Sequence, residues 1–355
     1  MFSILAPAHI DRTEIRWSSI WAAGYFLFFN AALACLVMPY FMLHWSFREP
    51  VNWRNHMSSV QAPSSETVAR GASADAIQHH YDVDSSFYGL WLDSEMSYSC
   101  AMWDGDFDTL AQAQEKKLDY LLGECVPAQN ARLLDIGCGW GAALRRATQY
   151  HGVLESVGLT LSPSQSRYII DRSESDTNVD IKVLDWVDYE PDQPFDGIVS
   201  IGAFEHFVKF GLPREEKVES YRRFFQSCHR WLKPGGVLAL QTIGKGNTPI
   251  DGPGLEDMLF IAQHIFPESD LPKLSEIAVA CERWFEVKAV RNDRADYART
   301  CEVWLDRLNA KKQEAIDLVG IEKFENYSRY LAASTRQFEV GHANLYRLVL
   351  KRVDR

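Results

Sequence analysis

The chain has 355 residues, of which 46% are hydrophobic and 24% are charged, and this globular composition excludes intrinsic disorder. Its 37 basic and 48 acidic side chains give a formal net charge of −11. An acidic chain is a poor partner for nucleic acid, because phosphate binding requires a basic surface. The seven cysteines form no C-x-x-C pair, so we expect reduced thiols in a cytoplasmic protein, and no bound metal.

The first 60 residues differ in character from the rest of the chain. Residues 20–45 are almost uncharged and long enough to cross a bilayer, with Trp21 and Trp45 near the two ends. One interpretation is a transmembrane helix that associates the protein with a membrane. The other is that the chain before Met57 is an upstream extension that a working enzyme does not need, because Met57 opens a polar stretch of small residues.

The remainder of the chain divides into a predicted helical cap and an alternating α/β domain. The cap covers residues 61–125, where apolar residues keep helical spacing. The domain covers residues 126–355 and alternates strands at 132–136, 154–160, 181–184, 197–201 and 237–243 with helices at 141–150, from Ser162 onward, and at 214–231. This alternation predicts a parallel sheet with helices on both faces. Residues 244–284 interrupt it and are interpreted as a lid, and 285–291 and 344–351 are predicted closing strands.

A glycine-rich turn after the first strand of this domain is the clearest functional motif. Asp135 precedes Gly137, Gly139 and Gly141, and glycines at these positions let the backbone turn sharply and approach a ligand closely. The spacing G-x-G-x-G differs from the dinucleotide motif G-x-G-x-x-G and suits a ligand without a pyrophosphate. It is the first signature of class I methyltransferases that use S-adenosylmethionine.

The ends of the next two strands provide further candidate contacts to this cofactor. The second strand ends in Thr160, with Gln165 following, where an acidic residue would normally hold the ribose hydroxyls. The Thr160 hydroxyl and the Gln165 amide would have to replace that carboxylate. Asp185 and Trp186 follow the third strand, where the carboxylate can accept a hydrogen bond from the adenine amine while the indole stacks on the base.

Several motifs in the right order resemble the cyclopropane fatty acid synthases, a family that includes the mycolic acid cyclopropane synthases and methyltransferases. The resemblance runs from about His80 to Lys351. It implies a Rossmann-like class I methyltransferase fold, with a seven-stranded, mostly parallel sheet that has one reversed strand near its end, a helical cap and a lid. The motifs that carry it are Ser97-Tyr98-Ser99-Cys100, Gly158-Leu159-Thr160-Leu161-Ser162 with Gln165, Ile201-Gly202-Ala203-Phe204-Glu205-His206-Phe207, and Asp296-Tyr297-Ala298-Arg299-Thr300 followed by Trp304.

The resemblance also implies a reaction and a set of site residues. A methyl group passes from S-adenosylmethionine to a carbon–carbon double bond, and a bound bicarbonate then removes a proton from the resulting cation as the ring closes. Tyr98 and Ser99 would contact the cofactor. Carried over position by position, Cys100, Glu205, Ile243 and Tyr297 match the residues that hold bicarbonate in the family, and Cys100, Glu205 and Tyr297 are the catalytic candidates among them.

The fifth bicarbonate position departs from the family, because Gln241 stands where the family has a histidine. An amide donates a hydrogen bond to an anion but cannot relay a proton. The main prediction is cyclopropanation of an unsaturated fatty acyl chain of a lipid, with Gln241 among the catalytic residues. One alternative is a C-methyltransferase that acts on a small olefin, such as an isoprenoid or natural-product intermediate, without ring closure. The other is a membrane-tethered module that binds the cofactor without catalysis. No oligomeric state is indicated.

Overall fold

The computed structural model describes residues 71–73, 85–105, 108–172 and 178–354. The predicted transmembrane segment at 20–45 lies outside these residues, as does most of the first third of the predicted cap. Within the described ranges, no helix is both long and apolar enough to span a bilayer. The predictions of a cytoplasmic location and of membrane association therefore stay predictions.

Seven strands form one mixed sheet in the order β3-β2-β1-β4-β5-β7-β6. β7 runs antiparallel to both of its neighbours, whereas the pairs from β3 to β5 are parallel. The predicted seven-stranded sheet with one reversed strand is therefore confirmed. The strands are β1 (Ala131–Ile136), β2 (Val153–Thr160), β3 (Val179–Val183), β4 (Phe195–Ile201), β5 (Leu232–Lys245), β6 (Phe285–Asn292) and β7 (Ala343–Arg352).

The strand boundaries lie close to the predicted ones except at the start of β5. The sequence places that start at Val237, but the strand begins at Leu232. Leu232 pairs with Phe195 at the beginning of β4, and the register shifts between Phe195 and Gly197. The K-P-G-G segment, which suggested a turn, is therefore absorbed into the strand.

The helices cover both faces of the sheet and its carboxyl edge. They are α1 (Ser85–Gly89), α2 (Leu110–Cys125), α3 (Ala142–Tyr150), α4 (Pro163–Arg172), α5 (Arg214–Trp231), α6 (Gly252–His264), α7 (Leu274–Cys281), α8 (Arg294–Ala310), α9 (Lys312–Val319) and α10 (Ile321–Val340). Two short 3-10 turns, at Trp186–Asp188 and Phe204–His206, follow β3 and β4.

Helix α2 belongs to the layers around the sheet. It begins at a capping box in which the Thr109 side chain accepts from the Gln112 N–H and the Gln112 side chain accepts from the Thr109 N–H. The helix packs against β4, β5 and α3. The C-terminal part of the predicted cap is therefore one of the helices that pack directly on the sheet.

An aromatic cluster joins the segment 85–103 to helices α8 and α10. The ring centroids of Trp91 and Trp304 lie 5.6 Å apart, and the hydroxyls of Tyr88 and Tyr327 share a hydrogen bond of 2.8 Å. Phe87 packs edge-on against Tyr327 in the same cluster. Much of the helical cover over the sheet thus comes from residues 294–340, which the sequence analysis did not assign to the cap.

The segment interpreted as a lid, 244–284, contains α6 and α7. Helix α6 packs against α10, and Arg336 donates two hydrogen bonds, of 2.7 and 2.9 Å, to Asp257 on α6. Helix α7 packs against α5. A lid function for this segment stays a prediction.

Candidate functional site

A cavity of about 150 Å³ opens at the carboxyl edge of the sheet, beside the glycine turn. Gly137 has φ +82°, and a Cβ added to it would lie 2.4 Å from the Ala203 Cβ. Gly139 has φ +54°, and a Cβ there would meet no atom within 4 Å, so this backbone faces open space. The turn therefore presents bare backbone to the cavity, as the motif predicts.

Nine of the ten residues predicted to contact the cofactor line this cavity. They are Tyr98, Ser99, Asp135, Gly137, Gly139, Thr160, Gln165, Asp185 and Trp186. Gly141 is not among the lining residues. It caps α3 at φ +82°, and a Cβ there would approach Ile169 and Arg145 at 3.0 Å, so its role is to allow close helix packing.

The residues after β2 and β3 form one side of the cavity. The Thr160 hydroxyl donates to Gln165 Oε1 over 2.7 Å and accepts from the Ser162 N–H over 3.1 Å, and all three side chains are buried. Asp185 accepts from the Val187 N–H over 3.1 Å, which fixes the turn that carries Trp186. A neutral polar pair therefore occupies the position where an acidic residue is usual.

Two buried polar side chains of α2, which sequence analysis missed, hold the segment 97–99 beside the cavity. Lys117 is 1% exposed, lines the cavity, and donates from Nζ to Ser99 Oγ over 3.0 Å. Gln114 donates to the carbonyls of Ser97 and Ser99 over 3.3 and 2.9 Å. The signal that was available is the interruption of the buried apolar stripe of α2 by these two polar residues.

Burial shifts Lys117 and Asp135, which both line the cavity, toward their neutral forms. It lowers the pKa of Lys117 to about 8 and raises the pKa of Asp135 to about 7, although the two opposite charges favour each other. Asp135 Oδ1 is buried and has no hydrogen-bond partner among the described residues. This arrangement leaves hydrogen-bonding capacity directed at a ligand.

A second cluster surrounds Glu205, which is 4% exposed on the short turn after β4. Its Oε1 accepts from the Ile243 N–H over 2.5 Å, and its Oε2 is buried without a partner in the described part of the chain. Burial raises the pKa of Glu205 to about 7, and the Ile243 N–H opposes that rise, together with the N–H of Glu205 itself and the Thr242 hydroxyl. The neighbouring His206 shares a 2.6 Å hydrogen bond with Ser269, and burial lowers its pKa to about 4.

Gln241 and Cys100 are held together by an arginine that sequence analysis missed. Arg347 is fully buried, donates to Gln241 Oε1 over 2.8 Å and to the Ala101 carbonyl over 2.9 Å, and forms an ion pair with Asp293. The Gln241 amide nitrogen lies 3.5 Å from the Cys100 carbonyl. An arginine in the middle of an otherwise apolar strand was the available signal.

The Cys100 thiol is a neutral group in this environment. Its Sγ donates to the Ala101 carbonyl over 3.1 Å, and burial raises its pKa to about 12 even though Arg347 favours the thiolate. A thiol of this kind can donate a hydrogen bond but is a weak nucleophile.

Tyr297 and Ile243 lie in the aromatic cluster of the helical cover. The Tyr297 ring stacks on Phe338 with centroids 4.4 Å apart and lies edge-on to Trp304. Burial raises the pKa of Tyr297, and the proximity of Cys100 and Glu205 adds to the rise. The residues assigned to bicarbonate thus form two direct contacts, Glu205 with Ile243 and Cys100 with Gln241, with Tyr297 nearby.

These residues adjoin the cavity without lining it. The lining includes Ser99 and His206, which are the chain neighbours of Cys100 and Glu205. The two groups of residues are therefore consecutive along the carboxyl edge of the sheet, where α/β proteins bind their ligands.

Known proteins resemble the chain over the region that contains these residues. A sequence model of the family described as mycolic acid cyclopropane synthetase matches residues 69–348. Cyclopropane mycolic acid synthase 1 of Mycobacterium tuberculosis is 36% identical over 281 residues, which are 76% of this chain and 94% of that protein. Methoxy mycolic acid synthase MmaA3 of the same species is 31% identical over 81% of this chain and 98% of its own.

A solved structure supports the same relationship in three dimensions. The mycolic acid cyclopropane synthase CmaA1, complexed with SAH and CTAB, superposes with a TM-score of 0.72 at 33% identity. The match covers 79% of this chain and 99% of that one. The similarity therefore extends over nearly the whole of the solved relative.

Proposed function

Because the chain belongs to the mycolic acid cyclopropane synthetase family and is an S-adenosylmethionine-dependent methyltransferase, we propose that it converts a double bond of an unsaturated fatty acyl chain of a lipid into a cyclopropane. The observation that carries the proposal is the Oε2 atom of Glu205, a buried carboxylate oxygen without a hydrogen-bond partner in the described ranges. It lies near the buried aromatic cluster that contains Tyr297. Such an oxygen is suited to accept a proton from a cationic intermediate.

The cavity residues fit the proposed cofactor. S-adenosylmethionine supplies an electrophilic methyl group when it is bound. The open face of Gly139 admits a ligand close to the backbone, and the buried Asp135 Oδ1 offers an acceptor without a competing partner. Trp186 lines the cavity with a ring that can stack on a planar base, and Thr160 and Gln165 offer neutral groups to hydroxyls.

The aromatic cover is suited to a cationic reaction path. Tyr98 lines the cavity, and its ring packs against Trp91 and Trp304 at centroid distances of 5.2 and 5.4 Å. An aromatic face contributes about 0.5–2 kcal/mol to a nearby cation, with the larger values where water is excluded. We propose that these rings and Tyr297 lower the energy of the cation before it loses a proton.

We assign acceptance of that proton to Glu205 Oε2. Gln241 cannot take it, because its amide oxygen already accepts from Arg347 and an amide has no basic nitrogen. Glu205 has its pKa raised to about 7, so it combines a large ionised fraction at neutral pH with more basicity than an ordinary carboxylate.

Bicarbonate fits the same cluster only when the carboxyl group of Glu205 is protonated. An anion beside an ionised Glu205 is repelled, so the carboxyl group must be protonated to donate from Oε2. Ile243, which the resemblance places among the residues that hold the anion, already donates its N–H to Glu205. Direct proton transfer to Glu205 is therefore the simpler proposal, with bicarbonate as the alternative.

Turnover of a defined lipid tests the proposal. Purified protein would be incubated with labelled S-adenosylmethionine and monounsaturated acyl lipids, and the products resolved by gas chromatography with mass spectrometry. A cyclopropane product is expected. Its absence with every acyl substrate would refute the proposal, and loss of turnover in buffer freed of carbon dioxide would show that bicarbonate is the base.

A second candidate product has its own supporting observation. Gln241 replaces the histidine of the family, and the fixed amide donates without relaying a proton. With the relay missing, the cation can lose a different proton and leave a methylated alkene, on an acyl chain or on a small olefin. The same chromatographic analysis distinguishes the two products.

A further inference from the structure

Two opposite charges are buried in the wall of the cofactor cavity without a complete set of partners. Lys117 Nζ donates to the Ser99 hydroxyl, and no ion pair to Lys117 occurs among the residues of the described ranges. Asp135 is 2% exposed, and its Oδ1 has no hydrogen-bond partner there. Asp93 and Asp135 attract the Lys117 ammonium without forming an ion pair with it in the described ranges. Burial of the ammonium and the carboxylate is therefore only partly compensated, and their place in a cavity wall indicates a ligand that completes the compensation.

The strand order places these charges away from the stacking ring. Trp186 follows β3, at one edge of the parallel strands, and Asp135 lies on β1, two strands inward. Lys117 enters from α2, which packs on β4 and β5. The cavity therefore runs from Asp185 and Trp186, after β3, to the pair of opposite charges formed by Asp135 and Lys117 at β1 and α2.

This polarity matches the two ends of the cofactor. S-adenosylmethionine has a planar base at one end and an amino-acid tail at the other, with an α-carboxylate and an α-ammonium. With the base at Trp186, the tail reaches the end that holds one positive and one negative group. A zwitterion that meets opposite charges in a buried site gains charge-assisted hydrogen bonds to both.

We propose that Lys117 binds the α-carboxylate of the cofactor tail, beside the Asp135 carboxylate that the glycine-turn motif already assigns to the cofactor. This inference deepens the proposed function and rests on it. It assigns Lys117 a specificity role, because it makes the cavity discriminate cofactors that carry the carboxylate from analogues that lack it. The lowered pKa of Lys117, about 8, still leaves most of the ammonium charged at neutral pH.

Calorimetric binding of two ligands tests the assignment without requiring turnover. The ligands are S-adenosylhomocysteine and its decarboxylated analogue, which keeps the amine and differs only in the carboxylate. The wild type should bind S-adenosylhomocysteine roughly 10- to 100-fold more tightly, the range for a hydrogen bond to a charged group. Lys117→Met should bind the two ligands within about twofold of each other.

Lys116→Met provides the matched control. Lys116 neighbours Lys117 on α2, but its side chain is 40% exposed and pairs with Asp108 over 2.8 Å. This variant should keep the wild-type preference. A preference that persists in Lys117→Met would overturn the assignment, because the carboxylate would then be held elsewhere.

The wild type alone can also overturn the inference if Lys117→Met fails to fold. A wild-type affinity ratio close to one would refute recognition of the carboxylate. A wild type that binds both ligands but shows no methyl transfer would leave the inference standing and refute the proposed function. A wild type that binds neither ligand would refute both.

Discussion

Arg347 and Gln241 lie opposite each other on β7 and β5, and the Arg347 Nε–H donates to Gln241 Oε1 over 2.8 Å. This contact fixes the orientation of the amide, because its oxygen faces the guanidinium and its NH₂ group faces Cys100. Gln241 is therefore held as a donor. A histidine at this position would have to direct its acceptor nitrogen at Arg347 to satisfy the same bond.

Replacement of Gln241 by histidine should change the product. If a fraction of the cationic intermediate fails to form the ring because no histidine relays the proton, Gln241→His will raise the ratio of cyclopropane to methylated alkene. Gas chromatography of the products from one monounsaturated lipid measures that ratio. Gln241→Asn is the control, because it keeps an amide but shortens its reach to Arg347. An unchanged product ratio in Gln241→His would show that the amide does not direct the outcome.

Removal of the charge at Glu205 should affect catalysis far more than cofactor binding. Glu205→Gln is expected to lower kcat by at least about 100-fold, the contribution of a general base, because the amide cannot accept the proton. S-adenosylhomocysteine affinity should change less than about threefold, a small fraction of that contribution. Steady-state kinetics and calorimetry measure the two quantities.

The matched control for that variant is Glu276→Gln. Glu276 is also 4% exposed, but it caps α7 by accepting from the Lys273 N–H over 2.9 Å. An amide oxygen can keep this bond, so turnover should stay close to wild type. Equal losses in both variants would indicate a general effect of altering a buried glutamate.

The pH dependence of turnover should report the same group. Burial raises the pKa of Glu205 from 4.5 to about 7, and the base must be ionised, so kcat should rise as the pH increases through 7 and level off above it. In Glu205→Gln the residual kcat should not show this rise with pH. A wild-type profile that is flat from pH 6 to 8 would contradict the assignment.

The stability of the ligand-free protein should show the opposite trend with pH. The folded carboxyl group of Glu205 binds its proton more tightly than the unfolded one, whose pKa is near 4.5. Its contribution to the free energy of unfolding is therefore present below about pH 4.5 and is lost as the pH rises to 7. Chemical denaturation of wild type and Glu205→Gln across this interval measures the difference.

Two glycines of the turn should respond differently to alanine. Gly137→Ala places a Cβ 2.4 Å from Ala203, so it should lower the free energy of unfolding by about 1–3 kcal/mol, the range for a strained backbone residue. Gly139→Ala also adds a Cβ at a positive φ, +54°, but that Cβ meets no protein atom within 4 Å, so it should cost less stability than Gly137→Ala. Its side chain should occupy ligand space and weaken S-adenosylhomocysteine binding in a folded protein.

Thermal unfolding and calorimetry separate these two effects. Gly123→Ala on α2 is the control, because that site has open space around the added Cβ and no positive φ. It should leave cofactor affinity unchanged. Gly139→Ala with wild-type affinity would show that this stretch of backbone does not contact the ligand.

The sheet and the cofactor cavity were predictable because local sequence determines them. The inner strands β1 and β4 are short apolar runs, and Gly137, Thr160 and Trp186 lie at strand ends or within a few residues after them. The carboxyl ends of parallel strands meet at one edge, so these residues had to converge.

The partners of the buried charges were not predictable, because they come from distant parts of the chain. Lys117 interrupts the apolar stripe of α2, but that pattern does not show that its side chain meets the segment that carries Ser99. Arg347 receives its partners from Ala101, Gln241 and Asp293, which are more than 50 residues away from it. No local pattern specifies such a set.

The position of β7 in the sheet has a consequence for how the protein is made. β7 lies between β5 and β6, so β6 forms its strand pairing within the described sheet only with a segment synthesised some fifty residues later. Arg347, which fixes Gln241, is on that same last strand. On the ribosome, β1 to β5 are synthesised before β7, so Gln241 emerges before Arg347, which orients it. A nascent chain that lacks β7 therefore has an unpaired β5 edge and a Gln241 side chain without its Arg347 contact.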